Sequence, residues 1–251
     1  RVVLGFQDKG DVHLVQHYAH RGWPVSKTMT QYDYCFIHLD IASHKLDEIY
    51  HDFQKKGVIT HCPLQTNAVY QNKSISFKGP DHVQLETHDW GSMKHSWIKA
   101  DPPEKGFYAL VHTSLSVNDL NKTLHLYRGI LGMPLIRQSH LEGDRFEKMD
   151  CLEKGAIAQN AVVRGKEGPE IQFLWHYAGV HHMRGKPIGS TMQQCDYAIV
   201  NIGLNTDDIE GLHKLFKKEG VVVNCDIQVT PDRTRAFSFR DPDGNFLIAE
   251  G

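Results

Sequence analysis

Apolar and polar residues alternate from Leu110 to Val117. As a strand, this segment puts Val111, Thr113, Leu115 and Val117 on one face and His112 on the other. The period then changes. Leu120, Leu124 and Tyr127 fall at helical spacing, Ser116 or Asn118 can cap that helix, and Gly129 to Gly132 end it. The same change of period occurs twice more. A strand around His38 precedes Leu46, Ile49, Tyr50 and Phe53, and a strand reaching Asn201 precedes Ile209, Leu212, Leu215 and Phe216. After each helix the pattern returns to strands. Two of these runs close on a related turn, Phe77-Lys78-Gly79-Pro80-Asp81-His82 and Phe239-Arg240-Asp241-Pro242-Asp243-Gly244-Asn245. Proline pre-sets one turn angle, and Gly244 or Asn245 can take a positive one.

Matching patterns at regular spacing mean a repeated unit. Thr28 to His38 matches Thr191 to Asn201, and Val12 to Ala19 matches Ile171 to Ala178. Residues 1–18 read as the tail of one half-unit, two strands around Asp8-Lys9-Gly10. Residues 32–88, 107–177 and 195–250 read as later half-units. The division expected is a first module over 1–88, a linker over 89–106 and a second module over 107–251. Trp90 and Trp97 suggest a linker that packs down. Arg1 falls inside a repeat, so most of a first half-unit is expected upstream of it.

Composition narrows the function. The 251 residues hold 28 basic and 30 acidic side chains without long runs of one sign, which argues against nucleic-acid and polybasic membrane partners. No apolar run is long enough to span a bilayer. The five cysteines show no C-x-x-C spacing and read as buried free thiols, in keeping with a cytoplasmic protein. Seventeen histidines favour metal chemistry only where they fall at defined positions.

Val111 to Asp119, Leu126 to Pro134 and Asp241-Pro242-Asp243-Gly244-Asn245 together resemble the vicinal oxygen chelate superfamily, which includes glyoxalase I, bleomycin-resistance proteins and type I extradiol dioxygenases. The resemblance covers nearly the whole chain. It implies an α+β fold in which paired βαβββ units curl into cupped mixed sheets, with a metal site in a cup. Family ligands come from the first and last strands of half-units. By position the first-strand candidates are His38, His112 and Asn201, and the last-strand candidates are His13, Glu86, Gln172 and Ile248. Isoleucine has no donor atom, and Glu250 would need a shifted turn, so the last half-unit reads as structural. The metal set expected is His38, Glu86 and His112, which converge if 32–88 pairs with 107–177. Sequential pairing would instead leave the third ligand upstream, with His13 able to join. The crossed pairing is the favoured one.

Two histidines and a carboxylate with open positions suit Fe(II). The resemblance then implies an extradiol-type, ring-cleaving dioxygenase acting on a catechol-like small molecule. Ser76 and Ser238 stand where those enzymes carry a tyrosine. With Gln172 as a fourth ligand, Zn(II), Ni(II) or Mn(II) fits better, and the alternative is a glyoxalase-like lyase, isomerase or epimerase. A metal-free binding or resistance protein is the third reading. The partner expected is a small molecule, and the fold allows a homo-oligomer.

Overall fold

The protein's computed structural model describes residues 2–6, 10–16, 18, 31–66, 72–79, 81–89, 98, 101–178, 191, 199 and 201–251. The expectations for Trp90, Trp97 and Cys195 lie outside these residues. The fold is α+β, with strands far outnumbering helices.

A hairpin of β1 (Val2–Gly5) and β2 (Asp11–Leu14) stands as its own two-stranded sheet. Next come β3 (Phe36–His44), α1 (Leu46–Lys56), β4 (Gln65–Thr66), β5 (Lys73–Lys78) and β6 (Gln84–Asp89). The third set is β7 (Gly106–Ser116), α2 (Leu120–Leu124), a π-helical turn His125–Ile130, β8 (Leu135–Glu142), α3 (Asp144–Met149), β9 (Ile157–Arg164) and β10 (Glu170–Ala178). The last is β11 (Asn201–Asn205), α4 (Ile209–Glu219), β12 (Gln228–Val229), β13 (Arg235–Arg240) and β14 (Phe246–Glu250).

Eight strands form one mixed sheet in the order β4-β5-β6-β3-β7-β10-β9-β8. Four come from each side of the 89–106 segment, and the first strands β3 and β7 meet antiparallel at the centre. The half-unit 32–88 is therefore paired with 107–177, as in the crossed arrangement. The last half-unit forms a separate sheet, β11-β14-β13-β12.

The helices follow from local sequence. Asp47 and Glu48 occupy the first turn of α1, Lys55 and Lys56 its last, and Gly57 closes it at φ 69°. That charge order complements the helix dipole, and glycine takes the left-handed cap without strain. In α4 the Asp208 side chain accepts from the Gly211 N–H at 2.8 Å, and Gly220 closes the helix at φ 71°. Ahead of α2 the cap is Asp119, which accepts from Asn121 N and Lys122 N, not Ser116 or Asn118. Its carboxylate reaches two of the free amides of the first turn. The closing turn takes its positive angle at Gly244, φ 86°, and Asp241 braces it by accepting from Asn245 N at 2.8 Å.

The main core lies between the outer face of β7 and β10 and the second sheet. Leu115, Phe173, Tyr127, Phe216, Phe237, Phe239 and Leu247 fill it. Phe216 is wholly buried, whereas Leu212, another member of the expected stripe, only flanks this core. Its neighbour His213 is buried instead, edge-on to Phe237 at 4.9 Å. Phe216→Ala should cost about 3–5 kcal/mol in urea unfolding, and Leu212→Ala clearly less. Equal costs would show that the two positions are equally central. The cysteines also divide: Cys35 and Cys62 are buried thiols, but Cys151 and Cys225 are exposed ones.

Candidate metal centre

Strand register explains how three distant residues meet. Across the sheet, Gln84, His38, Ser114 and Gln172 form one row of Cα partners. Glu86, Asp40, His112 and Glu170 form the next. Residues in one row, and in rows two residues apart, face the same side of a sheet. That side is the inside of the cup. In each half-unit the second candidate lies two residues beyond the register partner of the first. His38 pairs with Gln84, two before Glu86. His112 pairs with Glu170, two before Gln172. Asn201 pairs with Phe246, two before Ile248. The repeat thus preserves one offset three times, and the last copy carries side chains unsuited to a metal.

His38, Glu86 and His112 are all buried, and a donor atom from each lies within 4.8 Å of the others. His38 Nε2 is 3.1 Å from Glu86 Oε2 and 3.2 Å from His112 Nε2. Metal–nitrogen bonds of about 2.0–2.1 Å put neighbouring donors roughly 2.8–3.4 Å apart around one ion, so the donor set fits a small divalent cation. Two imidazole nitrogens facing each other are both satisfied only when one carries a proton and the other does not, whereas two lone pairs facing each other call for a cation between them. Among the described residues this is the one group of three such donors. His13 is exposed on the separate hairpin. Gln172 faces the cup diagonally across β10 and β7 from His112, as His38 does across β3 and β7.

Asp40 and His88 also belong to this centre, although no sequence motif singles them out. Each lies two residues beyond a triad member on the same strand, and that spacing is the available signal. Asp40 is fully buried, with Oδ1 3.0 Å from His88 Nδ1 and Oδ2 3.3 Å from His112 Nδ1. His88 Nε2 in turn lies 3.4 Å from Glu86 Oε1. A carboxylate 3.3 Å from Nδ1 of His112 favours a proton on that nitrogen, which would leave the Nε2 lone pair facing the cup. Asp40→Asn should weaken metal binding about 10–100-fold in a chelator competition. Unchanged affinity would remove Asp40 from the centre.

Burial sets the charges. It opposes a positive His38, but the hydrogen-bonded Glu86, with Asp150 and Asp40, raises that imidazole above its ordinary pKa. Burial likewise opposes charge on His88, and Asp40 and Glu86 overcome it. His112 is lowered to about 4 by burial, against the pull of Asp40. Burial acts against the Glu86 charge, but His88, His38 and His112 hold the carboxyl far below its usual range. Asp150, at the end of α3, is pushed up to about 7 by burial and the Glu86 charge. A cleft of about 440 Å³ between the π-helical turn and the end of α4 is lined by Leu126, Ile130 and Val221 but by none of the triad.

Comparison with known proteins agrees with this architecture. The model of the Glyoxalase/Bleomycin resistance protein/Dioxygenase superfamily matches residues 109–248. The chain belongs to that superfamily. A probable lactoylglutathione lyase of Vibrio cholerae is 25% identical over 141 residues, 56% of this chain and 88% of the relative. Glyoxalase I from Zea mays aligns with TM-score 0.57 at 18% identity, over 86% of this chain and 66% of the maize chain. A putative dioxygenase from Bacillus subtilis aligns with TM-score 0.54 at 13% identity, over 88% of this chain and 63% of the other. The chain therefore spans about two thirds of the length of these structures, and the likeness is one of fold. The superfamily includes both lyases and dioxygenases. No helix among the described residues is long and apolar enough to cross a membrane.

Proposed function

We propose that this protein is a metal-dependent, redox-neutral lyase or isomerase of the glyoxalase kind, with His38, Glu86 and His112 as metal ligands. Gln172 would be the fourth. The observation that carries this reading is the shared register offset, which makes Gln172 the counterpart of Glu86 in the paired half-unit. Four protein donors would leave a six-coordinate cation two free positions, enough for a substrate with two neighbouring oxygens. Ring cleavage needs a third, for oxygen, so this donor count favours Zn(II), Ni(II) or Mn(II) over the Fe(II) dioxygenase expected from the triad alone. A bound cation would polarise the substrate's carbonyl or hydroxyl oxygen as a Lewis acid.

The protein's own groups do the rest. The Asp40 carboxylate orients His112, and His88 braces Glu86. The floor of the cup beside the triad is closed to water, with Ser76 next to Glu86 and Ser114 next to His38 both fully buried. The Vibrio relative suggests the substrate class, a 2-hydroxyacyl thioester of glutathione or the hemithioacetal from which it forms.

The test loads metal-free protein separately with Zn(II), Ni(II), Mn(II) and, under argon, Fe(II). S-lactoylglutathione and the hemithioacetal of methylglyoxal with glutathione are then assayed beside a panel of catechols. Thioester or hemithioacetal turnover without oxygen uptake is expected. Oxygen uptake matched to catechol opening by the Fe(II) form would overturn the proposal.

A further inference from the structure

We infer that Asp150, held across the cup by α3, takes and returns the substrate proton. This rests on the function proposed above. That reaction must move a proton between neighbouring carbons, and the Gln172 amide is not basic enough to take it.

The position of α3 supports the assignment. At one flank Arg145 Nη2 donates to Ser74 Oγ on β5 at 2.7 Å, and Met149 Sδ lies 3.7 Å from the same oxygen. Ser74 is the register partner of His88, so this contact is on the cup side. At the other flank Phe146 stacks on His176 of β10, with ring centroids 6.1 Å apart and planes at 8°. His176 alternates with Gln172 and so faces the same side. The strands between β5 and β10 are β6, β3 and β7, which carry Glu86, His38 and His112. The helix therefore roofs the triad, and Asp150 follows directly from its last turn.

Asp150 is 5% exposed, and its Oδ1 has no hydrogen-bond partner. An orphaned carboxyl oxygen is costly to bury and is best explained by a ligand that completes it. The charges of Glu86, His38, Arg145 and His88 all act on it. Asp40 Oδ2 and Glu170 Oε2 likewise have no hydrogen-bond partner, but these and the remaining buried carboxyl of the cup face other groups. Glu86 belongs to the triad, Asp40 is shared between two histidines, and Glu170 is engaged in an interaction of its own.

The step balances without an added reactant. The carboxylate of Asp150 takes the proton from C2 of a 2-hydroxyacyl thioester. The C–H pair becomes a C=C bond, and the carbonyl oxygen gains the negative charge of an enediolate. The same proton then goes to the neighbouring carbon while the C2 hydroxyl proton passes to the other oxygen, leaving a ketone beside the hemithioacetal carbon, or it exchanges with solvent before its return to C2.

The test follows deuterium entering C2 of S-lactoylglutathione in D₂O by proton NMR. It uses the Zn(II)- or Ni(II)-loaded full chain. Asp150→Asn should slow exchange about 10²–10⁴-fold, with KM and bound metal unchanged and the neutral limb of the pH profile lost. Asp150→Glu, which keeps a carboxyl at a buried site, should exchange at least about tenfold faster than the Asn variant. Wild-type exchange in the Asn variant, or equal loss in both variants, would overturn the role of Asp150 and leave the proposed function standing. No exchange by wild-type protein with any metal would overturn both.

Discussion

Glu86→Ala should abolish stoichiometric metal binding. The change removes the one anionic donor and leaves His38 Nε2 and His88 Nε2 facing a gap. A metal cation held by two neutral imidazoles and an amide would lose its compensating charge inside a buried site. The loss should exceed the roughly 10–100-fold expected for an outer partner such as Asp40. Equilibrium dialysis against Zn(II), with metal analysis of the retained protein, reads the effect. Glu86→Gln, which keeps the shape, should fail nearly as badly. Full metal content in either variant would remove Glu86 from the centre.

Metal affinity should also fall steeply with acidity, and the sign follows from the three charges. His38 carries a proton to higher pH than an ordinary imidazole, because Glu86 overcomes the cost of burial. A metal must displace that proton. His112, lowered to about 4, and Glu86, held lower still, have already lost theirs near neutrality. One proton should therefore be released per ion bound. Affinity should drop about tenfold per pH unit below the His38 pKa and level off above it. Calorimetry in two buffers of different ionisation enthalpy counts the proton. Binding independent of pH between about 5 and 7 would contradict this order of charges.

Some of this structure is legible in the sequence, and the rest is hidden for physical reasons. Periodicity locates the strand of His112, and the repeat those of His38 and Glu86; the period of two persists along β7 although both of its faces are buried. Periodicity also locates the helices of Ile49 and Phe216. Register is a matter of pairing between distant segments. The meeting of β3 with β7 depends on contacts across the 89–106 segment, and no local pattern decides it. Asp40 and His88 carry only a weak signal, the two-residue spacing that marks a shared strand face. Asp150 has no such signal. It lies after a short helix in the opposite half-unit, and only the packing of Phe146 on His176 and Arg145 on Ser74 brings it over the cup. Leu212 illustrates the limit of helical spacing, which identifies an apolar stripe but not which of its members meets the core first.

The central claim is that one redox-silent ion at His38, Glu86 and His112 drives the reaction. Metal-free protein titrated with Ni(II) or Zn(II), with bound metal and hemithioacetal turnover read on the same samples, tests it most directly. Turnover should rise in proportion to occupancy, saturate at about one ion per chain and proceed unchanged under argon. Full turnover without metal, saturation only at two ions per chain, or turnover that requires oxygen would contradict it.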